Sequence, residues 1–175
     1  MSKVYIDESR IQGKGVFTNK SLAKGEIVLA IDDTRVVTDE SPLRPDENKD
    51  HCDWFPDGTV IYMQEPERYI NHSCDPNTFV KTINNIRYVF ALRPIEKNEE
   101  ITYDYCINGF GDVVWQCSCR ARRCRKTIHA DFFHLPKGLQ IEYLPLLDKH
   151  YTDFYKEKIQ RLVREQTESD DKILK

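Results

Sequence analysis

The sequence predicts a β-rich α+β domain, and three observations support this. The chain has 175 residues, of which 39% are apolar and 11% aromatic, which suffices for one domain with its own core. Short segments rich in β-branched and aromatic residues, separated by Gly, Pro and Asn, recur through most of the first two thirds. A helical pattern of apolar residues follows only from Pro145. This separation of strands from helices is typical of α+β folds.

The first third of the chain is predicted to form short strands and turns. Residues 13–17 (GKGVF) are predicted to form a glycine-flanked turn into an apolar stretch, and Gly25 precedes a predicted buried strand at 26–31. Residues 32–53 are polar and carry eight acidic against three basic side chains. We interpret this stretch as a solvated loop, with a surface that attracts a basic peptide as the alternative.

The middle of the chain predicts four further extended segments. Residues 59–63 have the composition of a strand. Residues 78–81 and 87–92 show apolar alternation on either side of Asn84-Asn85, which predicts a hairpin. Residues 100–105 (EITYDY) are β-branched and aromatic and are also predicted to be extended.

The C-terminal part changes from strands to a helix, with Pro145 near the first turn. The residues that fall largely on one helical face are Leu147, Tyr151, Phe154, Tyr155, Lys158, Leu162 and Val163. We expect this helix to dock on its own domain; a dimer interface or a substrate lid are the alternatives. Residues 166–175 are polar and are expected to form a disordered tail.

Charge and hydropathy exclude several classes of protein. Charged residues make up 31% of the chain, yet the net charge is −3, which argues against a disordered charged tail and against coating of duplex nucleic acid. The apolar runs are short, as at residues 27–31, so no membrane-spanning segment is expected. Residues 1–8 lack an apolar h-region, so we expect no secretory signal and an intracellular protein.

Six cysteines need an explanation, and metal binding or catalysis is favoured over a disulfide framework. Cys117, Cys119 and Cys124 lie within eight residues, a thiolate-rich spacing that favours a structural zinc site. Residues 117–126 hold five cations and no acid, which favours the thiolate form. Three free thiols in a mobile segment are the alternative, and these would be open to oxidation.

A tetrahedral zinc site needs a fourth ligand. Cys74, in the turn-like NHSCDPN at residues 71–77, is the best candidate, with Cys52 and Cys106 as competitors. Basic residues beside a small zinc site also resemble a zinc knuckle. The segment has no aromatic platform, however, so we do not expect nucleic acid binding.

Four stretches resemble, in the right order, the SET-domain protein lysine methyltransferase family with its post-SET zinc segment. They are GKGVF (13–17), RYINHSCDPN (68–77), FALRPI through EEITYDY (90–105), and Cys117, Cys119 and Cys124 followed by Arg125. The NHSC and YDY stretches together are highly specific, whereas the glycine turn alone is weak. The resemblance covers roughly residues 3–128.

The resemblance implies a SET-domain (β-clip) fold of small sheets, in which the C-terminal motif threads beneath a loop as a pseudoknot. It implies a SET domain at 1–110, a post-SET zinc-binding segment at 111–130, a C-terminal helical extension at 131–165 and the tail at 166–175. The central motif and the YDY strand would cross, which would bring cofactor and substrate sites together.

The activity that the resemblance implies is transfer of a methyl group from S-adenosylmethionine to a lysine ε-amine in a protein or peptide, such as a basic histone tail. Tyr105 matches the catalytic tyrosine. Tyr103 matches a position where tyrosine restricts the number of methylation rounds, which predicts mainly monomethylation. The implied cofactor-binding residues are Lys14, Gly15, Val16, Arg68, Asn71, His72 and Tyr105. The implied ligands of one structural Zn²⁺ are Cys74, Cys117, Cys119 and Cys124.

Further expectations follow from the same comparison. Ile128 is proposed to pack on the adenine, and Trp54, Phe55 and Tyr62 are candidate channel walls for which core packing is equally expected. We expect no membrane partner, and either a targeting partner or a homodimer through the C-terminal helix. The location would be nuclear in a eukaryote and cytoplasmic in a bacterium. A catalytically inactive interaction module of the same fold is the alternative function, against which the intact Tyr105, Asn71 and His72 argue.

Overall fold

The structure, a computed structural model, describes residues 2–111 and 113–173. The strands within these ranges are β1 (Val4–Glu8), β2 (Lys14–Thr18), β3 (Ile27–Ala30), β4 (Cys52–Trp54), β5 (Val60–Tyr62), β6 (Asn71–His72), β7 (Thr78–Ile83), β8 (Ile86–Ala91), β9 (Glu100–Tyr103), β10 (Val114–Gln116) and β11 (Thr127–His129). The α-helices are α1 (Lys137–Tyr143), α2 (Lys149–Phe154) and α3 (Lys156–Ile173). Among the described residues, no helix combines the length and apolarity needed to cross a bilayer.

One sheet contains both of the specific motif stretches. Its strand order is β1-β2-β9-β6, with β2 antiparallel to both of its neighbours. At the edge, β6 runs parallel to β9, so Asn71 lies beside Thr102 and His72 lies beside Tyr103. The NHSC and YDY stretches therefore meet as expected, while the threading of the chain beneath a loop stays a prediction.

The second sheet has the order β3-β8-β7 and contains the predicted hairpin. Strands β7 and β8 pair without interruption from Thr78 opposite Ala91 to Ile83 opposite Ile86. Asn84 and Asn85 in the turn have φ values of 51° and 62°, the left-handed region that a type I′ turn requires and asparagine tolerates. The hairpin is confirmed, as are the strands predicted at 26–31 and 59–63.

Two buried clusters form the core. The first lies among the sheets and includes Val16, Val89 and Ile101, all fully buried. The second joins aromatic residues of the C-terminal part, such as Phe132 and Tyr151, to Cys74 and Cys119, two cysteines of the candidate zinc set. The cysteine segment is therefore built into a core, which contradicts the alternative of free thiols in a mobile segment.

The C-terminal prediction was right in type but wrong in continuity. Helix already begins at Lys137, and Pro145 lies in a short 3₁₀ turn that ends α1. The chain then breaks at Asp148, whose carboxylate accepts the His150 N–H at 3.0 Å and caps the start of α2. The aspartate cap competes with helix continuation, which explains the break.

The C-terminal helices dock on their own domain, as expected. Leu147, Tyr151 and Leu162 are buried, whereas Phe154 and Val163 remain 57% and 44% exposed. Helix α3 continues through residues 166–173 to Ile173, and the disorder predicted for residues 166–175 stays a prediction. A helix that is already nucleated by buried contacts extends at little cost. Residues 174–175 lie outside the described residues.

The hairpin contacts the break between the helices. The Thr82 N–H donates to the Asp148 carboxylate, and the Lys81 ammonium donates to the Leu147 carbonyl. Thus the last residues of β7 bond to the C-terminal extension.

Residues 32–53 form a loop, as predicted, but an ordered one. The Arg35 guanidinium donates to the Glu47 carboxylate at 2.7 and 3.0 Å and to the carbonyls of Ser41 and Pro42. The side chains of this ion pair are only 11% and 7% exposed. The loop ends in β4, which pairs with β5 and carries Asp53 to the site described below.

Candidate active site

A cleft of about 890 Å³ lies where the motif stretches converge. Residues predicted to act on cofactor or substrate that line it are Lys14, Arg68, Asn71, Tyr103 and Tyr105. Its apolar lining includes Trp54, Phe55, Phe110, Val113 and Trp115. The volume is within the usual range of small-molecule sites. Segments that are distant in sequence therefore share one site.

Asn71 ties the glycine turn to β9. Its amide nitrogen donates to the Lys14 carbonyl at 2.9 Å and to the Glu100 carboxylate at 2.9 Å. Gly15 lies against the same carboxylate, so a Cβ there would approach Glu100 Oε1 to 2.5 Å. A methyl group at residue 15 would therefore displace the Glu100 carboxylate from its present position.

Gly15→Ala is expected to destabilise the protein by about 1–3 kcal/mol, because the added methyl group displaces Glu100 from its Asn71 hydrogen bond. Urea unfolding measures the change. Gly138→Ala is the matched control, since a Cβ at that helical position meets nothing within 4 Å. Equal midpoints for wild type and Gly15→Ala would contradict the close contact.

His72 contacts both the backbone and the ring of Tyr105. Its Nδ1 accepts the Tyr105 backbone N–H at 3.2 Å, which leaves the proton on Nε2, 3.4 Å from the Cys74 sulfur. Burial lowers the His72 pKa to about 4, so the ring is neutral at physiological pH. The ring also meets the Tyr105 and Trp115 rings edge-on, at centroid distances of 5.3 and 5.5 Å.

Two tyrosines stand side by side in the cleft. The Tyr105 hydroxyl donates to the Ile70 carbonyl at 2.8 Å, and the Tyr103 ring centroid lies 5.0 Å from that of Tyr105. Burial raises the pKa of both phenols above the ordinary value. Both therefore remain protonated near neutrality and act as hydrogen-bond donors rather than bases.

Two cations flank Tyr69 in the cleft lining. The Arg68 guanidinium lies 5.1 Å from the Tyr69 ring centroid, and the Lys14 ammonium lies 5.1 Å from the same centroid. Arg68 pairs with the exposed Glu65, but its Nε is buried with no hydrogen-bond partner among the described atoms. This part of the cleft is suited to an anionic group.

Four cysteines form a compact cluster behind the tyrosines. The sulfurs of Cys74, Cys117, Cys119 and Cys124 all lie within 4.8 Å of one another. Cys74 and Cys117 Sγ are 3.8 Å apart, and a tetrahedral zinc with bonds of about 2.3 Å would need an edge of about 3.8 Å. The Arg125 N–H faces Cys74 Sγ at 3.4 Å, as suits a thiolate. The cluster contains neither competitor for the fourth position, Cys52 or Cys106.

Asp104 and Arg125 join the YDY stretch to the cysteine segment. Asp104 is fully buried and accepts two hydrogen bonds from the Arg125 guanidinium, at 2.6 and 2.8 Å. Removing one partner of such a pair leaves a buried charge and costs about 3–5 kcal/mol. No pattern in the sequence predicts a role for Asp104.

Arg87 gathers three carboxylates, of which those of Asp53 and Glu67 line the cleft. Its guanidinium donates to Asp33 at 2.8 Å and to Asp53 at 2.6 Å, and lies 3.9 Å from Glu67. Glu67 is only 4% exposed, and burial raises its pKa to about 8 despite the neighbouring Arg87 charge. We call these four residues the acidic cluster. No local sequence pattern predicts this cluster, because its members come from four separate segments.

Glu67→Gln should make stability less dependent on pH. The folded pKa of about 8 lies above the ordinary 4.5, so the folded state binds the extra proton between these values. Wild-type stability should therefore fall relative to Glu67→Gln as the pH rises from about 5 to 8.5, by on the order of a few kcal/mol. Urea unfolding of both proteins at the two pH values measures this. If the two proteins differed in unfolding free energy by the same amount at both pH values, this would contradict the burial of an ionisable carboxyl.

Comparison with known proteins decides the family. A family model described as the SET domain matches residues 13–106, which is more than half of the chain. The chain belongs to the SET-domain family. The histone-lysine N-methyltransferase trithorax of Drosophila virilis is 33% identical over 138 residues, covering 72% of this chain and 4% of that protein. Histone-lysine N-methyltransferase 2B of Homo sapiens is 33% identical over 140 residues, covering 72% of this chain and 5% of that protein.

The chain thus spans 5% or less of the length of these two relatives. A solved structure of a Plasmodium falciparum protein, described as a candidate histone methyltransferase, is 28% identical. It superposes with a TM-score of 0.48 and covers 60% of this chain and 94% of that one.

The predicted cofactor contacts Gly15, Val16 and Ile128 do not line the cleft. Val16 is fully buried in the first core, and only its backbone, paired opposite Ile101, supports the glycine turn. Ile128 is 1% exposed in the second core. Its partner across β10 and β11, Trp115, lines the cleft instead and was missed by the sequence analysis.

The residues predicted as candidate channel walls differ in whether they line the cleft. Trp54 and Phe55 line the cleft, whereas Tyr62 is buried and stacks beneath Arg68. His72 lies in an adjoining crevice of about 50 Å³ together with Tyr105 and Trp115.

Proposed function

We propose that this SET domain is a protein-lysine N-methyltransferase that uses S-adenosylmethionine as methyl donor. The observation that carries the proposal is the convergence of Asn71, the glycine turn and the Tyr103–Tyr105 pair on one cleft. The names of the relatives, which are histone-lysine N-methyltransferases, support it. A histone tail is accordingly the first substrate to test.

The residues present fit such a cofactor. Arg68 and Lys14 offer positive charge to its carboxylate, and the Arg68 Nε has no hydrogen-bond partner among the described atoms. Trp115 offers an aromatic surface for its adenine. When bound, S-adenosylmethionine supplies an electrophilic methyl group on a sulfonium.

The chain's contribution to the chemistry is positioning in a low-dielectric channel. A free lysine has a pKa of about 10.4, and an aromatic channel favours its neutral form. The Tyr105 hydroxyl donates a hydrogen bond to the Ile70 carbonyl. This bond fixes the Tyr105 oxygen in place as an acceptor for the amine or for polarised C–H groups. Because burial raises the pKa of both tyrosines, neither serves as proton acceptor.

We also propose that the four-cysteine cluster binds one structural Zn²⁺. The mutual sulfur distances support this, and a structural zinc adds folding free energy to the segment that holds it. The Asp104–Arg125 pair would transmit that order to the tyrosines. Such a role would place the protein with its substrate, in the nucleus of a eukaryote or the cytoplasm of a bacterium.

Calorimetric binding of S-adenosylmethionine to zinc-loaded protein, together with methylation of recombinant core histones, tests the proposal. Wild type should bind, and Asn71→Ala should lose most of the affinity because the glycine turn is released from β9. Asn19→Ala is the matched control, since it also loses one side-chain bond to a backbone carbonyl and Asn19 does not line the cleft. A well-folded wild type that binds no cofactor, with or without histones, would overturn the proposal in favour of an inactive interaction module.

Tyr103→Phe is expected to raise the degree of methylation. The wild-type hydroxyl occupies space in the channel, and its removal admits a lysine that already carries a methyl group. Mass spectrometry of the product should shift from mainly monomethyl to dimethyl or trimethyl lysine. Tyr88→Phe, outside the cleft lining, should leave the product unchanged. Trimethyl product as the main wild-type species would contradict the prediction of monomethylation.

A further inference from the structure

The acidic cluster has more negative charge than its own cation can neutralise. Asp33, Asp53 and Glu67 share the single guanidinium of Arg87, which leaves a formal surplus of two negative charges when all are ionised. Lys49 and Asp50, which also line the cleft, offset each other. The Asp33 and Asp53 side chains are 28% and 31% exposed, so part of this charge is accessible.

One carboxylate oxygen of the cluster has no partner. Glu67 lines the cleft and is 4% exposed, and its Oε2 is buried without a hydrogen bond among the described atoms. Buried polar atoms are nearly always satisfied in folded proteins, and charged ones are costly to leave unpaired. An incoming cationic group that donates a hydrogen bond would neutralise part of the surplus charge and would give Glu67 Oε2 a partner.

The surroundings suit an extended peptide. Trp54 and Val113 line the same cleft yet are 60% and 66% exposed, which gives it apolar side walls. The Arg87 guanidinium also lies 5.4 Å from the Phe55 ring centroid and already occupies the middle of the carboxylates. The cluster therefore has no central space for a bare metal ion, and an organic cation that reaches in from the cleft is the chemistry that fits.

We infer that the acidic cluster binds a second basic side chain, arginine or lysine, next to the lysine that is methylated. Asp53 and Glu67 would be the residues that select it. This inference rests on the proposed function and assigns a sequence preference to the same cleft.

The test uses a peptide library with one fixed lysine and randomised flanking positions from which lysine is excluded, so that arginine represents the basic class. Methylated peptides are isolated and sequenced, and kcat/KM is then compared for a selected peptide and its arginine-to-citrulline analogue, which is neutral and of the same shape. Wild type should prefer arginine at one flanking position by about tenfold, the effect of one charge-assisted hydrogen bond. At pH 9, above the Glu67 pKa of about 8, Glu67→Gln and Asp53→Asn should each reduce the preference to about threefold or less.

Asp39→Asn is the matched control, because Asp39 lies in the same acidic stretch, is exposed and does not line the cleft. It should keep the full preference. The arginine-to-citrulline ratio should also increase from pH 7 to 9, since burial raises the Glu67 pKa to about 8 and the groups around Glu67 are Arg87, Asp53, Asp33 and Asp32. The target lysine is the same in both peptides, so its own ionisation cancels in the ratio.

Capture of the same library on immobilised full-length protein gives a second readout that needs no turnover. Enrichment of arginine that is lost in Glu67→Gln, without any methylation, would support the cluster and reject the proposed enzyme. Methylation without a preference for arginine, or with one that both variants retain, would overturn the inference and leave the enzyme intact. No arginine enrichment in either readout would also overturn it, whatever the folding of the variants.

Discussion

Tyr105→Phe should reduce methyl transfer by about 10²–10³-fold while S-adenosylmethionine affinity stays within about threefold. The Tyr105 oxygen is held by its hydrogen bond to Ile70 and by the ring packing of Tyr103 and His72. A fixed polar group beside the reacting atoms acts mainly on the transition state, and losses of this size follow removal of one such group. The measurement is single-turnover methylation together with calorimetric cofactor binding.

Folding cannot account for such a loss of rate. Losing one buried hydrogen bond costs about 1 kcal/mol, which leaves a domain of this size folded. Tyr88→Phe removes a hydroxyl from a neighbouring sheet without entering the cleft and should retain full activity. A Tyr105→Phe protein with near wild-type turnover would assign the chemistry to another residue of the cleft.

Removing the proposed zinc ion should unfold the C-terminal half of the molecule. Cys74 and Cys119 belong to the same buried cluster as Phe132, Tyr143 and Tyr151, so four mutually close thiols without an ion would leave that core poorly held. Structural zinc contributes on the order of 10 kcal/mol of apparent binding free energy in small domains, more than the whole stability of many proteins. Chelation, or Cys124→Ser, should lower the melting temperature by at least about 10 °C and abolish methylation.

Metal analysis and circular dichroism provide the check. Wild type should carry one zinc per chain, and Cys124→Ser should lose it together with part of the helical signal of α1–α3. Cys52→Ser, a thiol outside the cluster, should retain both. A metal-free protein with an unchanged melting temperature would show that the thiols pack as ordinary core residues.

Local sequence signals predicted the local structure well. The Asn84-Asn85 turn specified the hairpin, because asparagine tolerates the left-handed backbone that a two-residue turn needs. The break at Asp148 had an equally local signal, an aspartate before a helical run, which the apolar periodicity obscured. In the site, Tyr103, Tyr105, Asn71 and the glycine turn were found only through the family resemblance, since spacing alone does not bring together residues 57 positions apart.

What the sequence could not provide are pairings between distant charges. Arg87 meets Asp33 across 54 positions, and Arg125 meets Asp104 across 21. In the sequence each of these residues resembles an ordinary surface charge, and only the fold gives it an oppositely charged partner. The contribution of such a residue to the structure depends on the charged partner that the fold places beside it, and no local pattern encodes that partner.

The contact between the hairpin and the C-terminal extension has a consequence for the solubility of the fold. Strand β7 is the outer strand of its sheet, and open edges of this kind are templates for association with other chains. Asp148 accepts the Thr82 N–H, and Lys81 turns its charge toward the Leu147 carbonyl, so part of that edge is already occupied. The helices beyond the cysteine segment therefore protect the sheet against aggregation, and shortening the protein there would expose a surface ready to pair with a second copy.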